Sequence, residues 1–94
     1  MNVTWTPEAE QDRVDIWNYI VEDNPIAAVD MDICFSNAAS CLAEQPEMGS
    51  PGKISGTREL FPHHHYRMVY EINENDYTVW ILSLTSTFRE WPPS

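Results

Sequence analysis

The residues with the clearest chemical potential lie between Gly56 and Ile72, in the stretch GTRELFPHHHYRMVYEI. Two strand-like runs flank a Pro/His turn there, and they carry Arg58 and Arg67 on what should be neighbouring strands. A guanidinium is a planar fork that takes a carboxylate through two parallel hydrogen bonds. The two arginines are therefore candidates for holding an acidic side chain of a partner protein. The competing expectation is internal, with each arginine paired to a carboxylate such as Glu71 or Glu90. Glu59 follows Arg58 directly, so it points to the opposite strand face and does not neutralise it by sequence proximity.

His63-His64-His65 raises the question of a metal. Three consecutive imidazoles in a turn are expected to diverge, whereas metal sites draw ligands from spaced positions such as i and i+4 of a helix. No cysteine or acidic cluster accompanies them, so the sequence assigns no metal and reads a solvated hairpin tip. Protonation of that tip at about pH 6 would affect partner binding only slightly.

Nucleophilic and acid–base patterns are missing. Gly49-Ser50-Pro51-Gly52 lacks the Gly-x-Ser-x-Gly elbow. Asp12/Asp15, Asp30/Asp32 and Glu44/Glu47 fall on helix surfaces or ends, where carboxylates face solvent, so glycosidase-type paired acids are not supported. No glycine pattern cradles phosphate. No residue is assigned a catalytic role, and no cofactor is implied. Trp17 and Trp80 fit core faces. Trp91 lies past the last strand, where it either anchors an interface or folds back over the hairpin.

The elements that must position these residues follow from capping and periodicity. Val3-Thr4-Trp5 is β-prone and stops at Thr6-Pro7; Thr6 caps a helix, Pro7 suits its first position, and Glu8 and Glu10 favour its positive end. That helix runs to about Asp23, with Ala9, Ile16, Trp17 and Ile20 on one face. Asn24-Pro25 ends it and starts a second, carrying Ala27, Met31, Cys34, Phe35, Ala38 and Leu42 and stopping at Gln45-Pro46. The tight link makes an antiparallel helical hairpin. A loop holds Gly49, Pro51 and Gly52; strands are expected at 53–61, 66–72 and 77–85, joined by short turns and so paired antiparallel. The order β-α-α-β-β-β defines an α+β domain with an N-terminal strand and the helical hairpin packed on an antiparallel sheet.

Bulk properties narrow the classes. Residues 1–94 make one domain, small enough to be marginal alone. Fifteen acids against five bases give a formal charge of −10, and Lys53 is the single lysine. Phosphate backbones are bound through Lys and Arg, so direct sequence-specific recognition of nucleic acid is disfavoured. No apolar run is expected to reach the ~20 residues that span a bilayer, and the N-terminus lacks a basic segment leading into an apolar one, so a cytoplasmic location is expected. Cys34 and Cys41 fall roughly 10 Å apart on one helix face, too far to bridge, and read as buried small apolar side chains.

Gly56-Thr57-Arg58-Glu59-Leu60 followed by Tyr66-Arg67-x-Val69-Tyr70 resembles the ParE/RelE superfamily of toxins from bacterial type II toxin–antitoxin pairs, and most closely its ParE branch. Ala9, Asp12, Ile16, Tyr19 and Ile20 match the family's first helix; Asn24-Pro25, Pro46-x-Met48-Gly49 and the ending Arg89-Glu90-Trp91-Pro92 also match. Arg13 stands where leucine is usual, with its stem expected on apolar surface and its head in water, loosening the hairpin contact. Leu84-Thr85-Ser86-Thr87-Phe88 replaces a His-x-x-Arg type of run. The resemblance implies the same fold, plasmid stabilisation through poisoning of DNA gyrase by binding, and a hetero-oligomer with an antitoxin whose C-terminal segment wraps the toxin near the sheet and last strand. It offers Arg58, Arg67, Arg89 and Trp91 as candidate partner contacts. The RelE branch instead cuts messenger RNA on the ribosome with a basic cluster and a C-terminal tyrosine, and this chain has neither. A non-toxic remnant that only binds antitoxin is the third alternative.

Overall fold

A computed structural model describes residues 1–88. Strand β1 (Asn2–Trp5) leads into helix α1 (Pro7–Val21), then helix α2 (Pro25–Glu44), and strands β2 (Ser50–Pro51), β3 (Thr57–His63), β4 (Tyr66–Asn73) and β5 (Thr78–Ser86) follow. Both helix starts are capped as the sequence dictates. Thr6 Oγ1 accepts the N–H of Ala9 at 3.2 Å, Asn24 Oδ1 accepts that of Ala27 at 3.0 Å, and each helix begins with a proline.

The five strands form one sheet in the order β1-β5-β4-β3-β2. The links between β3, β4 and β5 are tight and give antiparallel pairs, whereas β1 enters parallel to β5 because the helical hairpin intervenes. Strand β2 departs from the expected loop. Ser50 and Pro51 pair with Glu59 and Arg58 as a two-residue sheet edge, a place where proline's missing N–H costs nothing.

The helical hairpin covers one sheet face. Ala9 of α1 and Phe35, Ala39 and Leu42 of α2 pack against Met68, Tyr70, Val79, Ile81 and Leu84. Between Val69↔Ser83 and Tyr70↔Ile81 the register shifts, so Leu82 is an extra residue and β5 bends. Asp12, expected to face solvent, serves this bend: its carboxylate accepts the N–H of Leu84 at 3.0 Å and the hydroxyl of Ser83 at 3.3 Å.

Three expectations about the helices are corrected. Arg13 does not merely lie along apolar surface. Its Nε and Nη2 reach the two carboxylate oxygens of Asp32 at 2.6 and 2.9 Å, Nη2 also donates to Ser36 at 2.8 Å, and the guanidinium sits over Trp5. A polar clamp therefore pins α1 to α2 where an apolar contact is usual. Cys41 is exposed and Cys34 half-buried, because the buried stripe of α2 runs through Ala28, Phe35, Ala39 and Leu42. α2 is also a longer apolar stretch than expected. At 20 residues and a mean hydropathy of 1.3 it is long and apolar enough to cross a membrane by length and composition. It carries Asp30 and Asp32 and packs on the sheet in this fold.

Candidate partner-binding site

Arg58 and Arg67 do not meet. Arg58 stands opposite Tyr70, on the sheet face under the helices, while Glu59 stands opposite Val69 and shares the other face with Arg67. Neither arginine takes Glu71. Arg58 Nε and Nη2 donate to the carbonyl of Gly49 at 3.1 and 2.8 Å, and Nη2 also to that of Glu47 at 3.0 Å. Tyr70 completes this clamp from below: its hydroxyl donates to Pro46 at 2.7 Å and accepts the N–H of Gly49 at 3.0 Å. A Cβ on Gly49 would lie 2.6 Å from the carbonyl oxygen of Glu59 and 2.7 Å from the Tyr70 hydroxyl, so only glycine fits. Arg58 is thus an anchor of the loop that follows α2.

Arg67 is paired differently. Its Nε lies 3.2 Å from a carboxylate oxygen of Glu59, and its guanidinium lies beside the half-exposed ring of Phe61. Both charged side chains are almost buried, at 13% and 12% exposure. Arg67 Nε and Nη1, and the hydroxyl of Thr85 directly across in β5, are buried with no hydrogen bond among the described residues. Arg89 and Trp91, the other candidate contacts, lie outside the described residues.

A groove of about 620 Å³ opens where α1 diverges from the second half of β5. Asp12, Asp15, Ile16 and Tyr19 form the helical wall, Leu84, Thr85 and Ser86 the strand wall, and His65, Tyr66 and Phe88 the end. Strand β1 pairs only as far as Ile81, so the β5 edge beyond it faces this groove. Tyr19 and Phe88 are largely exposed, at 79% and 83%, and present two aromatic rings at the rim of this groove. Burial holds the Tyr66 hydroxyl above the ordinary tyrosine range, and the neighbouring Tyr19 adds to the shift, so it is a hydrogen-bond donor and not a base at neutral pH. A second apolar surface, Ile26, Val29 and Ile33, lies exposed along α2. Sequence patterning missed both, because exposure of an apolar helix residue depends on which face the sheet covers.

The imidazoles of the β3–β4 turn also correct an expectation. They converge instead of diverging: the His63 and His64 rings stack 4.2 Å apart, and those of His64 and His65 lie 4.0 Å apart. Burial lowers the pKa of His63, and the charges of His64 and His65 lower it further.

Comparison with known proteins agrees with this architecture. A family model described as the ParE toxin of the type II toxin–antitoxin system parDE matches residues 3–91. The chain is 34% identical over 91 residues to Y4kP, a candidate toxin of Sinorhizobium fredii (strain NBRC 101917 / NGR234), covering 96% of this chain and 92% of that protein. The fold resembles that of the chromosomal ParDE system of P. aeruginosa with a TM-score of 0.79 at 19% identity, over 92% of this chain and 95% of that one. The toxin–antitoxin complex RelBE2 of Mycobacterium tuberculosis follows at 0.65 and 23%, over 90% and 95%. The YoeB dimer of Staphylococcus aureus is similar at 0.59 and 17%, over 88% and 92%. With the family model spanning nearly its whole length, the chain belongs to the ParE family of toxins of type II toxin–antitoxin systems.

Proposed function

We propose that this toxin acts in the cytoplasm by binding, stalling DNA gyrase on cleaved DNA, and that it has no catalytic step of its own. The observation that carries this reading is how its cations are spent. Arg13 is held by Asp32, Arg58 by loop carbonyls and Arg67 by Glu59, which leaves no convergent cationic cluster among the described residues. Cleaving RNA requires charge gathered around the phosphate and groups that move protons. The target itself is what membership in the ParE family implies.

A cognate antitoxin silences the toxin in this reading, and the groove between α1 and β5 receives its C-terminal segment. Asp12 and Asp15 on one wall, with Tyr19, Tyr66 and Phe88 nearby, favour a segment that brings apolar anchors and local basic charge. The solved relatives in the ParDE and RelBE2 systems come from two-component assemblies, which supports a hetero-oligomer. Of the candidate contacts, Arg67, held by Glu59 through a single 3.2 Å approach, is the one this reading assigns to an antitoxin carboxylate, whereas Arg58 acts through the loop it anchors. Arg89 and Trp91 stay candidate contacts on the family resemblance alone.

Purified toxin in a gyrase supercoiling and cleavage assay, with and without antitoxin, tests the reading. Cleaved DNA should accumulate and antitoxin should relieve the effect. Unaffected gyrase with folded, antitoxin-binding protein would discard the target. Transcript cleavage on the ribosome would then identify a ribonuclease, and unimpaired growth an inert antitoxin-binding module.

A further inference from the structure

We infer that His63, His64 and His65 at the β3–β4 turn form a site for a divalent transition-metal ion of the zinc, nickel or copper class. Their ligand nitrogens all lie within 4.8 Å of one another. A tetrahedral ion with bonds of about 2.0–2.1 Å holds its ligand nitrogens roughly 3.4 Å apart. The rings therefore need to close by little more than about 1 Å, which side-chain rotation supplies. His64 and His65 are exposed and turn at little cost, while His63 is half-buried and acts as the fixed member.

The turn is organised for this. His63 Nδ1 accepts the backbone N–H of His65 at 3.1 Å, so one lone pair of His63 is already aimed back across the turn. A cation there exchanges an exposed hydrogen bond, which water replaces, for a coordinate bond. Thr87 braces the turn from the end of β5: its N–H donates to the carbonyl of His65 at 2.9 Å and its hydroxyl to that of His64 at 3.3 Å. The rings are thus presented by a backbone tied to the sheet. Imidazole suits zinc, nickel and copper and is a poor ligand for magnesium or calcium. Three nitrogens leave at least one coordination position for water or a side chain of another protein. His65 also lines the groove beside α1, so an ion that draws its ring into the cluster alters the mouth of that groove. The inference does not depend on what the toxin poisons.

Titration of zinc chloride and nickel chloride into the EDTA-treated full chain tests it, with calcium and magnesium chloride as controls. One equivalent of zinc or nickel should bind while calcium and magnesium do not. His64→Ala, a change at an exposed turn position, should weaken binding about tenfold or more, since even losing an outer-shell partner of a ligand costs 10–100-fold. A Cys34→Ser/Cys41→Ser variant should bind like the wild type. Unchanged affinity in H64A, or loss of binding in the serine variant, would overturn the site. So would calcium binding as tight as zinc, which would assign the metal to surface carboxylates. Equal zinc affinity of the protein unfolded in urea would reduce the site to a property of three adjacent histidines and overturn it as a folded feature.

Discussion

Arg13 and Arg67 each stand beside a carboxylate, and the two pairs are built in opposite ways. The Arg13–Asp32 pair between the helices is bidentate, partly open to water at 23% and 38% exposure, and supplemented by Ser36 and Trp5. The Arg67–Glu59 pair on the sheet is nearly dry, makes a single contact at 3.2 Å, and leaves two guanidinium nitrogens without a hydrogen bond among the described residues. An open, well-aligned pair gains little and costs little. A dry, poorly aligned pair pays heavy desolvation and is held by the structure around it. The first sets the two helices level with each other at little energetic stake. The second is under-satisfied, and the packing around it holds it in place.

Breaking the dry pair should have the largest effect. Glu59→Ala strands the Arg67 charge and is expected to cost about 3 kcal/mol in urea unfolding. Removing both charges, as Glu59→Leu with Arg67→Met, should recover most of that loss, within about 1 kcal/mol of wild type or beyond it. If Glu59→Ala costs no more than the loss of Arg13, the contrast collapses. Next comes the clamp beneath the loop after α2: Tyr70→Phe leaves the Gly49 N–H and Pro46 carbonyl without their partner, for an expected loss of about 2 kcal/mol by the same measurement.

Smaller effects sharpen the other side. Arg13→Ala should cost no more than about 1 kcal/mol, and 1 M salt should shrink the difference, because the pair is open to solvent. A cost that salt leaves unchanged would point to packing on Trp5 as the source. The smallest effect concerns His63, whose folded pKa lies below its ordinary value of 6.5. Protonation then favours the unfolded chain, so His63 contributes its full stability above pH 6.5 and loses it as pH falls from there through the lowered folded pKa. In EDTA, His63→Gln should flatten that part of the profile. Identical slopes in both proteins would remove His63 as the cause.

The helical hairpin was legible because its signals are local. Thr6-Pro7 and Asn24-Pro25 announce helix starts through bonds made within three residues. The last two strands were legible for the same reason, from alternation and turn residues, whereas the run read from Lys53 begins only at Thr57, after the turn at Gly56. What escaped depends on register and on contacts between elements. The partner of Arg67 is Glu59 and not Glu71, since neighbours two apart across β3 and β4 decide it. Arg13 finds Asp32 because the two helices bring them level, and Asp12 turns inward because the extra residue at Leu82 exposes a backbone N–H. Ser50–Pro51 is too short to carry an alternation, so its pairing is visible only once β3 is in place. The three imidazoles converge on a turn that Thr87, far along the chain, braces through its N–H and its hydroxyl.

Strand β1 is parallel to β5, with Asn2 beside Thr78 and Trp5 beside Ile81. Strand β1 thus waits for a partner about 75 residues further along the chain before it finds its place. At roughly 5–20 residues per second, that delay is several seconds of synthesis. Until β5 emerges, the helical hairpin has lost three of the core residues it packs on, Val79, Ile81 and Leu84, and the groove beside α1 has no strand wall. The nascent chain therefore lacks this groove until β5 has followed, and that interval is written into the order of its strands.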